Sequence, residues 1–303
     1  MNCHGYARAY GAATVLNAVA TWKGSAFGIE LITEAEVDLN DSGVVRGDVP
    51  GVDSRLIERC VQMVLESSGS RAGAVVRTSS EIPVASGLKS SSAAANAAVL
   101  AALDALGCED GAQQPAEGGR GAGSAEEEWH LIQASKIGVA AARSVGVTVT
   151  GALDDALASM LGGVVVTDNR KMELLKREDL HCHVMLLIPG KKLFSSETDV
   201  RRSRAIAPAA EVAFDLAMRG DYFRAMTING LAYCAALRLS ADPIISALES
   251  GARGASLSGT GPAYAAVIDE ERMDDLQAAW EPLGGRVIRT RANNRRACRG
   301  RGI

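Results

Sequence analysis

Between Ala74 and Leu106 the chain passes from a strand-like run, through a glycine- and serine-rich bend, into an alanine-rich stretch. No other feature restricts the fold as much. Ala74 to Thr78 reads as a strand. Ser90 to Leu106 predicts a long helix, because Ala95, Val99, Ala102, Leu103 and Leu106 recur at helical spacing and alanine has the best intrinsic propensity. The bend is Pro83-Val84-Ala85-Ser86-Gly87-Leu88-Lys89-Ser90-Ser91-Ser92-Ala93-Ala94. Gly87 permits backbone geometry that other residues resist. A helix N-terminus carries unsatisfied N–H donors and partial positive charge, so this bend is a candidate phosphate cradle. Lys89 adds a point charge, and a serine hydroxyl can ligate Mg²⁺. A capped helix after a tight turn would use the same residue types.

The rest of the chain reads as strands and helices mixed. Ile29 to Val37 alternates apolar and acidic positions, as a half-exposed strand does. Ala12 to Ala20 is compatible with a helix of small residues. Asp53 is placed to cap a helix through about Ser67, which Gly69 ends. A further helix is expected from near Glu126 toward Ser144. Val164–Thr167 and Val184–Ile188 read as buried strands, followed by helices over Ala209–Met218, Tyr222–Leu239 and Pro243–Ser250. The C-terminal part repeats strand, helix, strand: Ala263–Ile268, Glu271–Leu283, Arg286–Thr290. This mixture predicts an α+β fold of two halves with a ligand cleft between them. The expected division is residues 1–165 and 166–303, with Gly107–Ser124 as a flexible surface insertion.

With only 4% aromatic residues, alanine, glycine and valine must fill the core. No uncharged apolar run is long enough to predict an ordinary membrane span, and the start has no basic-then-apolar signal pattern. The six cysteines lack CxxC spacing and read as reduced thiols in a cytoplasmic protein. The 32 basic and 36 acidic residues give no overall attraction to nucleic acid. Seven arginines between Arg286 and Arg301 read as a solvated basic tail. His181-Cys182-His183 reads as structural, because a metal site needs further ligands.

Two more segments carry candidate chemistry. Ser258-Gly259-Thr260-Gly261, within Gly251 to Pro262, packs two glycines and two hydroxyls into four positions. Such a loop lets backbone approach a phosphate or substrate closely; it also suits a hairpin turn. Thr148 to Ser159 contains Asp154 and Asp155 among apolar residues. One of these carboxylates can act as base toward a hydroxyl, or both can serve a helix N-terminus. No G-x-x-x-x-G-K-[ST] occurs, which disfavours a P-loop kinase.

Taken in order, these segments resemble the GHMP kinases, which include galactokinase, homoserine kinase and mevalonate kinase. The Pro83 to Ala94 run is similar to their central P-x-x-x-G-L-x-S-S-x-A motif. Trp22-Lys23-Gly24-Ser25-Ala26-Phe27-Gly28 resembles the first motif, and Ser258 to Pro262 the third. Two positions depart from the pattern: Trp22 stands where glycine is usual, and Lys89 where glycine or serine is usual. Within that group the likeness is greatest to the archaeal-type shikimate kinases. It extends to the opening Gly11 to Ile29, to Thr148–Ala156, to Tyr222-Phe223-Arg224-Ala225 with Asn229-Gly230, and to Gly254–Tyr264.

The resemblance implies a two-domain GHMP kinase-like fold that uses ATP and Mg²⁺ to phosphorylate the 3-hydroxyl of shikimate, with neither nucleic acid nor membrane as partner. It assigns Pro83, Ser86, Gly87, Leu88, Lys89, Ser90, Ser91, Ser92 and Ala93 to the triphosphate, with Ser91 as Mg²⁺ ligand. Asp155, or Asp154 if a one-residue gap is allowed, matches the catalytic carboxylate, with Lys23 nearby to keep it ionised. Ser258, Gly259, Thr260 and Gly261 would border the substrate. Arg201, Arg202, Arg204 and Arg253 are candidates for its carboxylate. Glu126 to Glu128 are poorly placed to supply a second Mg²⁺ ligand. A homoserine or mevalonate kinase, or a non-catalytic metabolite sensor on the same fold, are the competing expectations.

Overall fold

The computed structural model describes residues 3–51, 53–83, 86–109, 124–190 and 198–300. Two sheets organise these residues. The first runs β11-β1-β2-β4-β3, and β5 joins it beside β2 with β6 outside. Its strands are β1 (His4–Leu16), β2 (Lys23–Asn40), β3 (Val45–Gly47), β4 (Gly73–Ser80), β5 (Val164–Asp168), β6 (Glu173–Glu178) and β11 (Cys298–Arg299). The second sheet, in the order β10-β7-β9-β8, is antiparallel and holds β7 (His183–Ile188), β8 (Gly254–Leu257), β9 (Tyr264–Ile268) and β10 (Arg286–Arg291).

Helices α1 (Arg55–Ser68), α2 (Ser90–Glu109), α3 (Ala125–Ser144) and α4 (Leu153–Leu161) accompany the first sheet. Helix α2 is long and apolar enough by composition to cross a membrane, yet Ala97, Ala98, Val99, Ala101, Ala102 and Ala105 are buried within the protein core. Its alanines allow close approach to the strand beneath. A Cβ at Gly5 on β1 would stand 2.1 Å from the Ala101 carbonyl oxygen. Helices α5 (Val200–Ala205), α6 (Ala207–Met218), α7 (Tyr222–Leu237), α8 (Asp242–Glu249) and α9 (Met273–Trp280) surround the second sheet. A core cluster centred on Tyr233, Leu257 and Trp280 lies there.

Several expectations change. Ala12 to Leu16 is strand and not helix. This part of β1 pairs with Ser25–Gly28 of β2, and Ala12, Ala13, Thr14, Val15 and Leu16 are all buried. Tertiary pairing outweighs the helix propensity of alanine here. Ser54, not Asp53, precedes α1; Asp53 instead accepts the Arg55 backbone N–H and pairs with its guanidinium. The insertion is shorter than read, because α2 continues to Glu109 and Ser124 caps α3 by accepting the Glu127 N–H; residues 110–123 lie outside the described residues. The last helix is confined to Met273–Trp280 between single 3₁₀ turns.

The arginine-rich C-terminus is no solvated tail. Arg286 to Arg291 is a strand of the second sheet, after which the chain returns to the first. Asn293 donates its N–H to Gly28 and accepts from Gly163, and Ala297 donates to Met160. Arg296 pairs with Glu127 and Glu128, and Arg289 with Asp274. All six cysteines are free thiols.

Candidate active site

Helix α2 begins where three chain segments meet. Gly87 has φ +86°, and a Cβ there would stand 2.3 Å from the Ser258 carbonyl oxygen, so this position requires glycine. Ser258 donates its hydroxyl to the Gly87 carbonyl (2.8 Å), and Ala263 donates its N–H to Ser86 (2.9 Å). The loop between β8 and β9 is therefore both a hairpin connection and a wall of the bend. Ser86 folds the bend by donating to the Pro83 carbonyl (2.7 Å). Val84 and Ala85 lie outside the described residues. Ser91 is exposed on the first turn of α2, with Ser90 and Ser92 half-buried beside it and Leu88 and Ala93 packed inside.

Gly259 is gripped from the other side. It donates its N–H to the Thr14 hydroxyl (2.7 Å), and its carbonyl accepts from the Asn17 side chain (2.9 Å). Asn17 in turn receives the Tyr233 hydroxyl on its carbonyl and donates its N–H to Asn229. Asn229 also donates to Ser256. This buried chain ties β1, α7 and β8 together. Asn17 and Asn229 both lie in runs that resemble the family, whereas Tyr233 lies outside them. Its signal, a polar residue in an otherwise apolar run, is weak when read along one chain.

Asp154 and Asp155 open α4. The residue before it, Ala152, has φ +50°, and neither aspartate caps the helix. Both carboxyls point into the protein, at 3% and 8% exposure. Asp154 lies against Gly24 and accepts a hydrogen bond from Asn169 (2.8 Å), which Thr167 steadies through a hydroxyl donated at 2.7 Å. Asp155 pairs instead with Lys89, Nζ to Oδ1 at 2.9 Å. Burial raises both carboxyls above the ordinary aspartate range. For Asp154 the charge of Asp155 adds to the rise; Lys89 opposes the shift of both.

Lys23 does not join them. Side chains alternate along β2, and Gly24 occupies the face toward Asp154. Lys23 therefore points to the opposite face, with Nζ 4.3 Å from the centroid of the Phe214 ring. The cation beside the carboxylates is Lys89.

Asn17, Val19, Lys89, Thr148, Thr150, Asp154, Asp155, Gly259 and Thr260 line one cleft with about 400 Å³ of free space, part of it open to solvent. The candidate arginines for the substrate carboxylate are not among the residues that line this cleft. Arg202 donates to the Ala235 and Ala236 carbonyls near the end of α7, Arg253 stacks over Phe223 at 4.6 Å, and Arg201 and Arg204 are exposed. Glu127 and Glu128 are engaged by Arg296. Among the described residues no group of three His, Cys, Asp or Glu side chains forms a metal cage. A phosphate-bound Mg²⁺ needs no such cage, since phosphate oxygens and water supply most of its ligands. The exposed Ser91 hydroxyl at the helix start fits that donor set.

Two family profiles match the chain: "GHMP kinases N terminal domain" over residues 55–163 and "GHMP kinases C terminal" over residues 220–284. Curated relatives named shikimate kinase cover it almost completely. That of Methanothrix thermoacetophila is 60% identical over 97% of this chain and 95% of its own length. That of Methanosarcina mazei is 51% identical over 97% and 96%, and that of Halobacterium salinarum 46% over 94% and 96%. Solved structures share the fold. Mevalonate kinase of Methanococcus jannaschii superposes with TM-score 0.71 at 14% identity, covering 95% of this chain and 98% of that one. Homoserine kinase of Cytophaga hutchinsonii gives 0.68 at 16%, covering 99% and 98%.

Proposed function

The chain belongs to the archaeal shikimate kinases of the GHMP kinase family, and from that membership we propose how it transfers the γ-phosphoryl group of ATP to the 3-hydroxyl of shikimate. The observation that carries the reading is the meeting of the α2 bend, the Gly259 loop and two buried carboxyls in one cleft.

Phosphoryl transfer asks little covalent chemistry of the protein; positioning and charge neutralisation supply most of the acceleration. The N–H groups at the start of α2 and the serines from Ser90 to Ser92 cradle the triphosphate. Pro83, Ser86, Gly87, Leu88 and Ala93 shape that cradle. Mg²⁺, when bound, neutralises phosphate charge, with the Ser91 hydroxyl as its protein ligand. Asp155 is the better base for the acceptor hydroxyl, because it faces the phosphate side of the cleft. Asp154 supports it from below, held by Asn169. Of the loop Ser258 to Gly261, Gly259 and Thr260 line the cleft and border the acceptor together with Thr148 and Thr150, while Ser258 and Gly261 shape the loop from inside. The protein works in the cytoplasm on small molecules only.

A coupled ADP-release assay with Mg-ATP tests this directly. Shikimate is expected to be turned over, with homoserine and mevalonate inert. Turnover of homoserine without shikimate would replace the substrate assignment, and nucleotide binding without transfer to any of the three would favour the sensor.

A further inference from the structure

Lys89 adopts φ +65°, a left-handed conformation that side-chain-bearing residues rarely take. Such strain persists only when the surroundings impose it, and it gathers at functional sites. The surroundings here are specific. The Lys89 carbonyl accepts from Ala93 and starts helix α2, which fixes the backbone. The Lys89 Nζ passes so close to Gly259 that a Cβ there would stand 2.8 Å from it, and it ends 2.9 Å from the Asp155 carboxylate. Lys89 is 9% exposed in its side chain and lines the cleft. Lys23, which motif matching places beside the carboxylate, is committed to Phe214. One ammonium group thus stands at the boundary between the phosphate cradle and the acceptor base.

Building on the proposed kinase reaction, we propose that Lys89 is a catalytic residue. It anchors the Asp155 carboxylate in the free enzyme through their 2.9 Å contact, then bridges Asp155 and the transferring phosphoryl group, taking over the place expected for Lys23. The acceptor O–H bond breaks and its proton passes to Asp155. The acceptor oxygen forms the new bond to the γ-phosphorus, and the bond from that phosphorus to the β-phosphate oxygen breaks with its electron pair leaving on ADP. Lys89 counters charge on the equatorial phosphoryl oxygens and steers the carboxylate toward the hydroxyl. A buried ion pair is weak evidence for stability, because desolvating both charges offsets their attraction.

The test is a double-mutant cycle read in kcat for shikimate and in thermal melting, on Lys89→Gly, Lys89→Arg, Asp155→Asn and the double variant Lys89→Gly/Asp155→Asn. Lys89→Gly is expected to lower kcat about 100- to 1,000-fold, as loss of a positioned charge stabiliser does. Lys89→Arg should retain at least about tenfold more activity than Lys89→Gly, because the charge remains. In the Asp155→Asn background, Lys89→Gly should change kcat by less than about threefold, since residues acting as a unit are strongly non-additive. The double variant, freed of both the buried pair and the backbone strain, is expected to melt at or above wild type. A kcat within about threefold of wild type in Lys89→Gly, or losses that simply multiply in the double variant, would overturn the role. A double variant melting well below wild type would make the pair structural. If the wild type itself fails to phosphorylate shikimate while binding ATP, the reaction reading fails, and the Lys89 role falls with it.

Discussion

Gly24 lies so close beneath Asp154 that a Cβ built on it would stand 2.5 Å from the carboxyl carbon. Asp154 cannot easily yield, since Asn169 holds its other side. Gly24→Ala is therefore expected to cost about 1–3 kcal/mol of stability, the usual range for overpacking a buried site. Chemical denaturation measures the loss, and kcat should fall with it because Asp154 supports Asp155.

The buried aspartates also set a pH dependence. Burial raises the Asp154 carboxyl, so the folded protein holds that proton more tightly than the unfolded chain does. The resulting stability is complete below the unfolded carboxylate value of about 4 and is lost as pH rises through the raised folded value. Asp154→Asn keeps an acceptor for Asn169 without the titration. Its melting temperature relative to wild type should climb from pH 5 to pH 8; a difference that stays flat with pH would contradict the assignment.

Gly87 and Gly69 make a matched comparison. Both have positive φ, but a Cβ at Gly87 would meet the Ser258 carbonyl oxygen at 2.3 Å, whereas Gly69 has nothing within 4 Å. Gly69→Ala should cost only the left-handed penalty of about 1–2 kcal/mol. Gly87→Ala should cost about 3 kcal/mol or more, because backbone on both sides must move. It should also weaken ATP binding, which isothermal titration of the two variants would reveal.

The returning C-terminal segment offers a contrast between surface and buried polar contacts. Arg296 pairs with Glu127 and Glu128 near the surface, so Arg296→Ala is expected to lower stability by about 0.5–1 kcal/mol, with sensitivity to salt. Asn293 is 1% exposed, and its side chain satisfies both the N–H and the carbonyl of Arg295. Asn293→Ala should cost about 1–3 kcal/mol and be insensitive to salt. Urea denaturation at two salt concentrations separates the two.

The sequence revealed the elements whose information is local. Helices α1, α2 and α3 carry apolar stripes or strong propensity, and the bend and the aspartates stand in short recognisable runs. What it concealed depends on distant partners. The end of β1 reads as helix because Ala12 to Ala20 has small side chains, and only its pairing with β2 makes Ala12 to Leu16 extended. The arginines after Arg286 read as a tail because their partners, Glu127, Glu128 and Asp274, lie far away along the chain. Lys23 points away from the aspartates because β2 begins at Lys23, six residues before the alternation visible in the sequence, and alternation then sets it opposite Gly24. The link between Lys89 and Asp155 spans two helices, and nothing local to either residue announces it.

The proposed reaction places the triphosphate on the α2 bend, facing Asp155. A crystal structure with shikimate and a non-hydrolysable ATP analogue tests it most directly. The γ-phosphorus is expected against the N–H groups and serines that begin α2, with the acceptor hydroxyl within hydrogen-bond reach, about 3 Å, of the Asp155 carboxylate. Phosphates bound away from that bend, or an acceptor hydroxyl turned toward neither aspartate, would contradict it.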